Sequence, residues 1–228
     1  MLKEIREELK EKTNKEKAEV LQRFFKTKKG EYGEGDVFLG ITVPELRKIA
    51  KKNKNIGIME TLQFLRSKVH EERFIALLIL IDKFSEKNEK IFNLYLKNLK
   101  WVNSWDLVDI SAYRIIGEYL FDKEKTVIYN LAFSENLWEK RVAIMSTFYF
   151  IRKNHFKDTI NIAEILVYDN HDLIQKAVGW MLREIGKRDI REEEKFLDKY
   201  YKKMPRTMLR YAIEKFPKDK RKYYLGKY

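Results

Sequence analysis

The chain has 228 residues, room for one large domain or one array of repeats, and 48 Lys and Arg against 35 Asp and Glu give it a net charge of +13. A polyanionic partner fits that balance better than a neutral one. With no cysteine and only His70, His155 and His171, well separated along the chain, disulfide frameworks, zinc ribbons, iron–sulfur sites and a cysteine nucleophile are excluded or strongly disfavoured. Carboxylates, bases and aromatics are left to carry any chemistry.

The first eight residues mix acids and bases without an apolar stretch, and the longest purely apolar run, Phe74 to Ile81, is eight residues. Neither a signal peptide nor a membrane span is expected, which points to the cytoplasm. Three prolines and nine glycines are spread over segments in which apolar residues recur at helical spacing. Leu62, Leu65 and Val69 lead on to Phe74, Leu77, Leu78 and Ile81, and Ile160, Ala163, Ile165 and Leu166 follow later. This pattern predicts an all-α protein with helices of about 10 to 18 residues. Helix boundaries are expected at Thr42 to Glu45, with Pro44 in a first turn, at Asn103 and Ser104, at Ser134 to Asn136, and at Lys187 to Asp189.

The segment from Lys26 to Pro44 differs, holding four of the nine glycines. Its Gly-rich part, at about 27–42, is expected to be an ordered loop, because Val37, Phe38, Leu39 and Ile41 need burial.

Short segments align on a small residue, at Ala76, Ala112, Ala143, Gly179 and Ala212, with separations of 36, 31, 36 and 33. A period in this range with one helix pair per unit predicts a curved α-solenoid of HEAT-like helix pairs, about six or seven repeats, as a single domain over 1–228. Three residues before each anchor stand Arg73, Asp109, Lys140, Lys176 and Leu209. Cations at three of five places read as a row that tracks a phosphate backbone, with Asp109 as the anomaly. Trp105 precedes Asp109 by one helical turn, Arg141 adjoins Lys140, and Trp180 follows Gly179, so these four fall within an arc of about 140° on equivalent helices. Trp101, Trp138 and most of the 13 tyrosines and 14 phenylalanines read as core.

Residues 103–109, 138–144 and 174–184, together with 38–44, resemble the motifs of AlkD-type DNA alkylation repair enzymes, which are HEAT-like-repeat DNA glycosylases. The resemblance covers roughly residues 15 to 215, with four motifs in the same order. It implies excision of cationic N3- and N7-alkylpurines, such as 3-methyladenine and 7-methylguanine, from duplex DNA without metal or cofactor; a monomer is expected. By the same resemblance Asp109 matches the catalytic carboxylate, Trp105 and Trp180 the two aromatics against the lesion's backbone, and Arg141 the arginine near that carboxylate. Phe24 stands where a close relative carries tyrosine, so a hydroxyl contact is missing there.

An alkylated purine is already cationic and leaves as a neutral base without a general acid. The oxocarbenium-like sugar then needs an ionised carboxylate and the indole faces. Arg141 is expected to keep Asp109 ionised. DNA-backbone contacts are expected from Phe24, Thr42, Arg47, Lys140, Lys176 and Arg183, with Thr42 at a helix N-terminus. The competing readings are a noncatalytic DNA-binding HEAT-like solenoid, disfavoured by Asp109 beside the tryptophans, and a protein-binding scaffold, disfavoured by the cationic row.

Overall fold

The structure, a computed structural model, describes residues 2–226. Among the described residues there is no strand; Val37 and Val69 form a single isolated parallel bridge. The chain divides into two compact units, 1–111 and 112–228.

The first unit holds α1 (Leu2–Glu11), α2 (Lys15–Phe24), α3 (Val43–Lys52), α4 (Ile58–Leu65), α5 (His70–Asp82), α6 (Phe84–Lys97) and most of α7 (Trp105–Ala112). Helix α5 packs on both α3 and α4 and is apolar from Phe74 to Ile81, so all of it but Leu78 and its last two residues is buried. Burial of the helix takes its first turn inside as well, and His70, Glu71, Glu72 and Arg73 are all buried.

That turn organises the Gly-rich loop. The Glu71 carboxylate accepts from the backbone N–H groups of Leu39 and Gly40, each at 2.9 Å, and of Ile41 at 3.4 Å. Glu72 takes a two-pronged bond from Arg6. Gly40 has φ +81°, and a Cβ there would stand 2.2 Å from the Asn14 carbonyl oxygen, so only glycine fits the crossing with α2. Of the apolar loop residues expected to be buried, Phe38 and Ile41 are buried and Leu39 is half-buried. Val37 departs from the expectation: it is 42% exposed, because its backbone is held by the bridge to Val69 while its side chain faces solvent.

The second unit holds a π-turn at Tyr113–Gly117, then α8 (Glu118–Leu120), α9 (Thr126–Ala132), α10 (Leu137–Ser146), α11 (Phe148–Arg152), α12 (Lys157–Leu166), α13 (Asp172–Gly186), α14 (Ile190–Tyr200), α15 (Arg206–Ala212) and α16 (Lys218–Leu225). The π-turn packs on α10, α10 on α13 and α13 on α15, in chain order. The small-residue anchors Ala112, Ala143, Gly179 and Ala212 are buried, and Gly179 and Ala212 meet at the α13–α15 crossing, where a Cβ on Gly179 would meet the Met208 carbonyl oxygen at 2.4 Å and the Ala212 nitrogen at 3.2 Å.

The expected boundaries hold. Asn136 caps α10 by accepting from Trp138 and Glu139, and Asp189 caps α14 by accepting from Arg191 and Glu192. Several helices are shorter than their spacing predicts, α9 and α15 having seven residues each. For α15 the reason is the pair of prolines that bracket it, Pro205 at its start and Pro217 after the 3-10 turn Ile213–Lys215.

Candidate functional site

In the first unit, α7 begins at Trp105, and its start is fixed by a buried ion network. His70 Nε2 lies 2.8 Å from Asp106 Oδ2, and His70 Nδ1 lies 2.9 Å from Asp36 Oδ2. The other Asp36 oxygen accepts a short bond from Arg73, and Ser104 Oγ donates to Asp106 Oδ1 at 2.8 Å. Burial alone would discharge His70, but Asp106 and then Asp36 outweigh it and raise its pKa to about 9. Burial likewise opposes the charge on Asp36, and His70 and Arg73 hold its carboxyl below the usual range. Two cations and two anions therefore form a neutral cluster, with both imidazole nitrogens donating at neutral pH.

Aromatic rings cover this network. Phe38 stacks on His70 with centroids 4.3 Å apart, and Phe25 lies 5.2 Å from the same ring. Phe25 also stacks nearly parallel on Trp105 at 5.1 Å, while the exposed Phe24 meets Trp105 edge-on at 6.0 Å. The indole of Trp105 is thus braced on one face and half-buried overall. One turn further along α7, Asp109 is half-buried; burial, with a smaller contribution from Asp109, raises the pKa of Tyr95, whose hydroxyl is 2.8 Å from Ser111 Oγ.

The other first-unit residues are on α3. Arg47 is exposed. Thr42 donates its hydroxyl to Glu45 at 2.8 Å, so the start of α3 is already occupied by its own carboxylate. The expected row of surface cations is corrected at Arg73, which is buried and paired with Asp36 because the whole first turn of α5 is inside.

In the second unit, Arg141 is buried on α10 and donates from Nη1 to the Leu173 carbonyl at 2.5 Å. Lys140 pairs with Asp169 at 2.9 Å, Lys176 with Asp172 at 2.8 Å, and Arg183 with Glu214. Trp180 is half-buried beside Phe148, and its Nε1 donates to Glu184 Oε1 at 3.2 Å. Burial pushes the Glu184 carboxyl up, but Lys187, Trp180 and Arg188 hold it below its ordinary value. Trp101 and Trp138, expected in the core, are only half-buried: Trp101 sits in a 3-10 turn with Lys100 over its ring, and Trp138 in the half-buried first turn of α10.

Sequence reasoning missed Asp36, His70 and Asp106. The signal was present in four consecutive charged residues, 70–73, directly ahead of an eight-residue apolar run. A helix buried over most of its surface cannot turn its first charges to water, so they require partners.

The described residues are all-helical, with Trp105 and Asp109 one turn apart on α7. A family model described as DNA alkylation repair enzyme matches residues 5–216, and the chain belongs to that family. A solved structure described as a predicted DNA alkylation repair enzyme from Enterococcus faecalis is 18% identical, with TM-score 0.73 over 91% of this chain and 98% of that one. AlkD2 from Streptococcus mutans is 18% identical, with TM-score 0.55 over 90% and 99%. The protein smu.31 from Streptococcus mutans UA159 is 20% identical, with TM-score 0.55 over 76% and 92%. At these identities the likeness is one of fold. No curated protein matches the chain.

Proposed function

We propose that this protein is a DNA glycosylase that hydrolyses the N-glycosidic bond of cationic N3- and N7-alkylated purines in duplex DNA, acting as a monomer on the first step of base-excision repair. The observation that carries the reading is Asp109 one turn beyond Trp105 on α7, in a member of the alkylation repair family. A half-buried carboxylate beside a braced indole suits a sugar on which positive charge develops.

In the proposed reaction the C1′–N bond breaks and its electron pair leaves with the purine, which departs neutral. Asp109 stabilises the oxocarbenium-like sugar and orients the water that adds to C1′, whose proton passes to solvent. Trp105 covers the sugar, and Trp180 and Arg141 keep the roles that the family resemblance gives them. Thr42, Arg47, Lys140, Lys176 and Arg183 serve the DNA backbone, with Phe24 contributing a ring without a hydroxyl.

The test is release of 7-methylguanine from methylated duplex DNA under single-turnover conditions. Release well above the spontaneous rate is expected. A rate equal to spontaneous depurination overturns the proposal.

A further inference from the structure

Charge is distributed unevenly along the chain. Residues 199–228 hold eleven Lys and Arg against two Asp and Glu, nine of the net +13, and leave the preceding 198 residues nearly balanced. Helix α16 lies past the family match, which ends at 216.

This segment is a built surface. Tyr224 is buried, packs against Tyr201, Phe216 and Tyr223, and donates its hydroxyl to Asp198 on α14 at 2.9 Å. Arg206, at the start of α15, donates to the Leu225 carbonyl at the end of α16, which ties the two helices together. On this platform Lys203, Arg210, Lys218, Arg221 and Lys222 are exposed, and none has a carboxylate within 4.0 Å among the described residues. Lys140, Lys176 and Arg183, by contrast, each have one. On α16, Lys218, Arg221 and Lys222 are spaced i, i+3, i+4 and share one helix face.

We infer that α15 and α16 form a second DNA-contacting surface, which grips the phosphate backbone of duplex DNA outside the damaged nucleotide and independently of damage. Unpaired cations at this density lose little on meeting phosphates, since no internal ion pair has to break. Of the rings among them Tyr224 is buried and Tyr201 half-buried, and both pack against the exposed Tyr223, which suits backbone contact better than base stacking. The inference rests on the reading of the protein as a DNA enzyme, and it assigns α16 a role that the excision chemistry does not require.

The experiment measures affinity for an undamaged duplex against KCl concentration for wild type, for K218Q/R221Q/K222Q, and for the charge-matched control K90Q/K97Q/K100Q, all at exposed positions. The log–log slope should fall by about 2.7 in the α16 variant, from about 0.9 per lost phosphate contact, and by less than about 1 in the control. Single-turnover release of 7-methylguanine at saturating protein should be unchanged in the α16 variant. An unchanged slope, or equal changes in both variants, overturns the inference. So does a variant that keeps its duplex slope and loses binding only to single strands or to phosphatidylserine vesicles. If wild type releases no base while the α16-dependent slope is seen, the glycosylase reading fails and the surface stands. If base is released and the slope is indifferent to α16, the reverse holds.

Discussion

His70 and Asp106 are 36 residues apart in the chain and 2.8 Å apart in space, and through this bond the buried end of α5 holds the start of the helix that carries Trp105 and Asp109. Asp36 on the far side of the imidazole brings the Gly-rich loop into the same unit of structure. The loop therefore acts as a wall: it supplies the second carboxylate of His70 and the Phe38 ring that covers it.

This arrangement makes stability depend on pH in a defined direction. The folded-state pKa of His70 is raised from 6.5 to about 9, so its contribution is fully present below about pH 6.5 and is lost as pH rises through about 9. The loss should be on the order of 3 kcal/mol. Urea denaturation between pH 6 and pH 10 should show the decline, and Asp106→Asn should shrink it. A wild-type profile that is flat across this range contradicts the ion network.

Asp109→Asn keeps the shape of the side chain and removes its charge. Base release should fall by about 10² to 10³ with circular dichroism and duplex affinity unchanged. Single-turnover kinetics that stay within about threefold of wild type would make Asp109 a structural residue.

Glu184 should matter through Trp180. Glu184→Ala frees the indole N–H and breaks the Lys187 pair, at about 1 to 2 kcal/mol. Glu184→Gln keeps an acceptor for the indole and should cost less. Chemical denaturation followed by tryptophan fluorescence reads both effects, and equal losses in the two variants would show that the indole bond contributes nothing.

Gly179→Ala tests the helix crossing. The added methyl would stand 2.4 Å from the Met208 carbonyl oxygen and 2.6 Å from Tyr211 Cβ, so α13 and α15 must separate. A loss of about 2 kcal/mol or more is expected, measured as a fall in the thermal midpoint. A midpoint unchanged within a degree would mean that the two helices are not in this contact.

The helical class, the capped boundaries at Thr42, Asn136 and Asp189 and the small-residue positions of the crossings were legible in the sequence. Each depends on neighbours within about one turn or on a spacing that repeats. Membership of the family was legible for the same reason, from short continuous strings around Trp105, Asp109, Arg141 and Trp180. Only the tertiary structure decided which charges face water. Arg73 has the same spacing from its anchor as Lys140 and Lys176, yet it is buried against Asp36 while they lie half-exposed in ion pairs. Asp36, His70 and Asp106 come from three segments, and no local pattern joins them. Their bonds exist because burying α5 forces the charges of its first turn to find partners wherever the fold brings other chain segments past.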